Sequence, residues 1–213
     1  MPLVQALAII TLIYSSLVTL RQVDLKALVA YSSVAHMSVV ILGLFSNTVQ
    51  GIEGAILLSI GHGFVSPALF IFVGGFLYNR YHTRVINYYR GMSLTMPLFS
   101  LLFFLFAIFN AASPLSINFV GEFLSLSGMF QRNILIGILG ATGIVLSAMY
   151  SIFMFQRISF CSFSPYLTPT IDLNRFEFML VLPLLIATVV FGIFPNIILD
   201  SLHASVSNLL YNT

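Results

Sequence analysis

Six apolar stretches divide the chain, at residues 2–20, 27–45, 54–77, 94–130, 134–155 and 177–196, and the connecting stretches hold the charges and turn formers. A helix needs roughly 20 apolar residues to cross the hydrocarbon core of a bilayer. Five of the stretches fit one crossing each. The fourth does not, because at ~1.5 Å per residue a helix over 94–130 would be ~55 Å long. Near its centre lies Asn110-Ala-Ala-Ser-Pro114-Leu-Ser-Ile-Asn118, a polar patch around a helix breaker. The stretch is either two short spans joined by a turn or one span broken inside the membrane.

The basic residues decide between these. Taken as one crossing, the fourth stretch puts Arg21, Lys26, Arg80, Arg84, Arg90, Arg157 and Arg175 on one side and Arg132 alone on the other. Two crossings put Arg157 and Arg175 opposite the other six and weaken that bias. Because Lys and Arg collect on the cytoplasmic or matrix side of a membrane, one crossing is preferred. The expected fold is an all-α polytopic membrane protein of six transmembrane helices, one of them broken, forming a single domain over 1–213. Both chain ends lie on the less basic side. Tyr78, Tyr81, Tyr88 and Tyr89 cluster beside a basic loop, as interfacial aromatics do. Residues 200–213 carry Leu202, Val206 and Leu209 at helical spacing, which fits a short surface helix or a frayed tail.

Composition sharpens the class. Of 213 residues, 59% are hydrophobic and 7% charged, where a soluble domain carries ~25% charged residues. The mean hydropathy is +1.06. A single cysteine, Cys161, allows no internal disulfide and no thiolate set for zinc or iron–sulfur clusters. No Gly-rich dinucleotide fingerprint or phosphate loop occurs, so a redox role would have to be served without redox centres on this chain. The N-terminus lacks a basic n-region and cleavage site, and its length fits a span better than a removable signal.

Against that background, three ionisable residues fall in the middle of apolar segments: His36, His62 and Glu122. An ionisable side chain at bilayer depth costs ~2.5–3.5 kcal/mol on insertion scales unless it is paired or wetted. His36, in AYSSVAHMSVV, can accept and donate a proton near neutral pH, with Ser32 and Ser33 one turn away to hold it or a water. A structural histidine bonded to a neighbouring helix is the equal alternative. His62 is flanked by glycines and followed by Pro67, which leaves the carbonyl of Gly63 without its amide partner. The glycines can instead serve close helix packing. Glu122 follows the break, where Pro114 should leave the carbonyl of Asn110 free. Broken helices at the midplane line hydrated cavities in transporters. A glutamate snorkelling to the nearer interface is the plainer alternative. Asp24 and Lys26 flank a span start, and Lys26 can open a path from the basic side. Glu53 reads as a helix-start acid. His82, Asp172, Glu177, Asp200 and His203 read as solvated loop or tail residues, and Pro195 as the end of the last span.

The segments DLKALVAYSSVAHMSVV, AILLSIGHGFVSPALFIFVGGFLYNRYHTR and NFVGEF, in this order, resemble the antiporter-like subunits of respiratory complex I, the proton-pumping NADH:ubiquinone oxidoreductase. Glu122 favours the subunit 4 type, because the otherwise similar subunit 5 type carries Lys there. The resemblance covers the chain and implies spans 9 to 14 of a ~14-span unit, the second of two inverted five-helix repeats plus a final helix. It makes His36 and His62 part of a central proton path, with Glu122 as the distal site. It implies no cofactor on this chain; NADH, FMN, iron–sulfur clusters and ubiquinone belong elsewhere in such a complex. The implied location is the mitochondrial inner membrane with Arg-rich loops in the matrix, a bacterial inner membrane being the alternative. The first repeat has no counterpart, so the chain is a fragment or a split product whose start is Met1-Pro2. Expected partners are a polypeptide carrying the other half, further membrane-arm subunits and lipids, with no nucleic acid. A cation/proton antiporter component and a purely structural subunit are the competing readings.

Overall fold

The computed structural model describes residues 2–160, 164–168 and 170–211; Met1 and Cys161 lie outside the described residues. Helices α1 (Pro2–Arg21), α2 (Leu25–Leu44) and α3 (Val49–Phe70) form the first three spans. Past Pro67, α3 runs on through a π-helical stretch, Ile71–Leu77, into α4 (Tyr78–Tyr81). The resulting rod of 33 residues is longer than the apolar stretch 54–77. Helix α5 (Met92–Thr95) leads to α6 (Pro97–Asn110) and α7 (Ile117–Arg132), then α8 (Ile134–Ser159), α9 (Arg175–Ile193) and α10 (Asn196–Tyr211). Among the described residues, five helical rods are long and apolar enough to cross a membrane, and α6, at 14 residues, is not. Only together with α7 is it long enough to cross.

Contacts between the loops agree with a single crossing. Leu25 N–H donates to the Arg84 carbonyl (2.9 Å) and Gly91 N–H to that of Phe160 (3.0 Å). The Asp172 carboxylate accepts from Leu98 N–H (2.8 Å) and Phe99 N–H (3.1 Å) at the start of α6. These loops therefore gather at one end, and they carry Arg21, Lys26, Arg80, Arg84, Arg90, Arg157 and Arg175. The end of α7 lies at the opposite face, where Gln131 donates to Gln50 at the start of α3 (2.8 Å).

Several loop residues differ from the sequence reading. Asp172 is a helix cap, since it satisfies two of the amides that α6 leaves unpaired. Glu177 pairs with Arg80 (2.6 Å), and His82 ends α4 in a left-handed conformation (φ 52°). Tyr89 is no interfacial aromatic. It is fully buried, donates its hydroxyl to the Thr83 carbonyl, and its phenol is raised above the usual range by burial and then by Tyr81. The C-terminal segment is a helix, not a frayed tail. Val206 of α10 is buried, and His203 Nδ1 lies 2.8 Å from Oε1 of Glu53. Glu53, taken as a helix-start acid, thus holds α10 against α3.

The two halves of the broken span pack by different means. Helix α6 interlocks phenylalanines with the rod: Phe99, Phe103 and Phe106 surround Phe72, with ring centroids 5.5–5.8 Å apart. Helix α7 runs antiparallel to α3 through small residues, pairing Asn118 with Gly61, Gly121 with Leu58, Ser125 with Gly54 and Gly128 with Gly51. A Cβ on Gly121 would sit 2.7 Å from the backbone of Leu58, and one on Gly128 2.5 Å from the Cα of Gly51. Close backbone approach through small residues is how helices associate in lipid, where burial of apolar surface drives little.

A buried histidine–glutamate pair at a broken span

The interruption between α6 and α7 is wider than the lost bond expected of a proline. Six residues, 111–116, leave the helix, and Pro114 lies among them. Ala112 (φ 53°) and Leu115 (φ 80°) adopt left-handed backbone, an uncommon state for residues bearing a Cβ. Asn110 closes α6. The freed ends find local partners. Ala112 N–H donates to Phe109 (3.1 Å), Ser113 N–H to Ile108 (3.3 Å), and the Asn118 side-chain amide reaches back to the Phe109 carbonyl (3.2 Å). Ser116 caps α7, accepting from Phe119 N–H. Helix α9 covers the loop, with Gly192 packed on the Leu115 carbonyl.

Glu122 stands on the second turn of α7 and faces α2. Its Oε1 lies 2.9 Å from Nδ1 of His36, and the two residues are 3% and 2% exposed. Nε2 of His36 lies 3.1 Å from the hydroxyl of Tyr150 on α8, which is also buried. The His62 ring, on α3, is tilted against His36 with centroids 5.9 Å apart. Three of the predicted residues thus meet in one place, drawn from α2, α3 and α7. Glu122 is no snorkelling side chain, and it touches His36 directly.

Ser32 and Ser33 do not hold His36. Both donate to the Val29 carbonyl (2.7 and 3.2 Å), and Ser33 also meets Ser66 across to α3 (3.3 Å). Lys26 is not in the cluster either. It is exposed at the start of α2, with its N–H on the Asp24 carboxylate (2.8 Å). Ten residues along a helix place it ~15 Å from His36. It lines a cleft with Phe70, Val73, Gly74, Tyr78 and Arg84. Pro67 lies five residues beyond His62, before the π-helical stretch. Two polar atoms in this region, His62 Nε2 and Asn118 Oδ1, are buried with no hydrogen-bond partner among the described residues. Such atoms are few in proteins and concentrate where polar groups have work to do.

Tyr150 escaped the sequence reading. Its signal is a buried polar stripe, Ser147, Tyr150 and Ser151, on one face of an otherwise apolar span.

A charged or neutral pair of this kind can pass one proton across a single hydrogen bond. Either the imidazole Nδ1–H donates to a carboxylate, or a protonated carboxyl donates to Nδ1. Residues 1–150 match the model of the membrane family described as NADH:quinone oxidoreductase/Mrp antiporter. The chain belongs to that family. It is 69% identical over 211 residues to NADH-ubiquinone oxidoreductase chain 4 of Mycosarcoma maydis, covering 99% of this chain and 44% of that protein. The protein of the same name from Marchantia polymorpha is 47% identical over 210 residues, covering 98% and 42%. Among solved structures, a chain of respiratory complex I from Thermus thermophilus with bound NADH superposes with a TM-score of 0.89 at 29% identity, over 98% of this chain and 44% of that one. A chain of the Mrp complex from Dietzia sp. DQ12-45-1b gives 0.88 at 16% identity, over 99% and 47%, and shares the fold. This family member is an integral membrane protein that spans less than half the length of the curated relatives it matches.

Proposed function

We propose that this family member is part of a proton-translocating membrane-arm subunit of NADH:ubiquinone oxidoreductase, of the kind its relatives name chain 4. The observation that carries the reading is the 2.9 Å contact between His36 and Glu122, both buried, with Glu122 on the helix that follows the break. His62 stands beside the pair as the neighbouring station, and Lys26 is the entry group on the basic side. Asn110 and Pro114 belong to the interrupted backbone beside this polar line, and Pro67 precedes the passage of α3 into its π-helical stretch. No cofactor is assigned to the chain, and NADH, FMN, iron–sulfur clusters and ubiquinone would belong to other subunits.

The partners are the remaining membrane-arm subunits, lipids and the polypeptide supplying the other half of the subunit; the coverage of the relatives supports the last. The location is the mitochondrial inner membrane, with the end that gathers the seven basic residues in the matrix. Moving one charge against 100 mV takes ~2.3 kcal/mol. A buried pair whose proton affinity changes with its surroundings can supply work of that size.

In the assembled complex, His36→Gln and Glu122→Gln each remove one proton acceptor at nearly constant volume. Both variants should assemble and oxidise NADH while pumping several-fold fewer protons per electron, read as the pH gradient across sealed vesicles. Unchanged stoichiometry in fully assembled variants would remove the pair from the mechanism.

A further inference from the structure

The His36 ring has two nitrogens, and the relay uses only the one that faces Glu122. The other, Nε2, is buried and meets the Tyr150 hydroxyl at 3.1 Å. The rings cross edge to face at 77°, with centroids 6.5 Å apart. Which nitrogen of a neutral imidazole carries the proton is set by the partner of the other. Among the described residues, the Tyr150 hydroxyl has no hydrogen-bond partner besides Nε2. The other hydroxyls on the same face of α8 stay on their own helix, Ser147 donating to Ile144 (2.8 Å) and Ser151 to Ala148 (3.1 Å).

We propose that Tyr150 is a positioning residue: its O–H donates to Nε2 of His36 and so holds the imidazole proton on Nδ1, against Glu122. The phenol keeps its own proton throughout. Were Nε2 protonated, the hydroxyl could only accept, and its hydrogen would be left buried without an acceptor. The tyrosine therefore favours a bare Nε2. It directs exchange to the Glu122 side and makes arrival of a proton at Nε2 conditional on rotation of one O–H bond, with no movement of heavy atoms. The other titratable groups facing His36 are Glu122 from α7 and His62 from α3. Helix α1, also packed on α2, carries only Tyr14 and Arg21 as ionisable groups, and both are exposed.

This inference rests on the proposed relay, and its test separates the two. Tyr150→Phe keeps the ring that packs in the bundle and removes only the donor. Without the hydroxyl, Nε2 loses both the donor that keeps it bare and the acceptor that would serve it once protonated. The pH profile of pumping in the assembled complex should then depart from the wild-type one. In a Glu122→Gln background the same change should move nothing further. A wild-type profile in assembled Tyr150→Phe, with pumping lost in Glu122→Gln, overturns the role of Tyr150 alone. Normal pumping in Glu122→Gln overturns the relay itself.

If Tyr150→Phe does not accumulate, the wild-type complex with ring-labelled tyrosine gives the answer by acid-minus-base infrared difference spectroscopy. A C–O band of a donating phenol should convert to that of an accepting phenol at the pH midpoint of pumping. A spectrum without that band, or one in which the band persists unchanged in His36→Gln, overturns the proposal.

Discussion

The two halves of the broken span, α6 and α7, occupy one crossing and are built on opposite plans. Helix α6 is apolar except for Ser100 and its last residue, Asn110; it starts on a proline capped by Asp172 and buries Phe99, Phe103 and Phe106 against the rod. Helix α7 carries Asn118, Glu122 and Ser125 on its buried face and meets α3 through glycine. Large side chains fill volume and tolerate small displacements. Backbone contact at glycine does not, and it fixes the height of α7 on α3. That is what a carboxylate needs if it is to stay within hydrogen-bond distance of an imidazole on another helix. The anchoring half holds the span in the bundle, and the other half sets the geometry of the pair.

This division can be broken from either side. Phe103→Ala, in the anchoring half, should cause the largest loss of stability, ~3–5 kcal/mol by analogy with other buried aromatics, seen as a lower melting temperature of the purified complex. Pumping per assembled complex should be unchanged. Gly121→Ala places a Cβ 2.7 Å from the Leu58 backbone, and overpacking costs ~1–3 kcal/mol. Here stability and pumping should fall together, because α7 is pushed away from α3 and Glu122 away from His36. If Gly121→Ala lowers stability alone, α7 has no special duty in holding the pair. The smallest effect is expected at the periphery. His203→Ala removes a half-exposed pair with Glu53, and such contacts are worth ~0.2–1 kcal/mol. It should raise hydrogen exchange in α10 and leave pumping intact.

Much of this was legible in the chain. Apolar runs gave the spans, and the skew of arginines chose one crossing for the fourth, which the shared basic end of the loops supports. The break was visible in Asn110, Pro114 and Asn118, although its width was not. A proline predicts one missing bond and says nothing of the left-handed turns at Ala112 and Leu115, the second of which packs under Gly192 of α9. Scarcity of charge marked His36, His62 and Glu122, because each is expensive in an apolar segment. Their contact was hidden, since it joins residues 86 positions apart across three helices. Tyr150 was missed for a related reason: a tyrosine in an apolar helix is unremarkable until its hydroxyl is found on an imidazole. Asp172 looked solvated and Glu53 looked like a helix-start acid because their partners, the first turn of α6 and His203, are distant in sequence.

The central claim is that His36 and Glu122 act as one proton-handling unit. The most direct test is a double-variant cycle on pumping stoichiometry in the assembled complex, with His36→Gln, Glu122→Gln and both together. Groups that work as a unit are non-additive, so the double variant should pump no less than the poorer single variant. Two losses that multiply in the double variant would show separate duties and contradict the account.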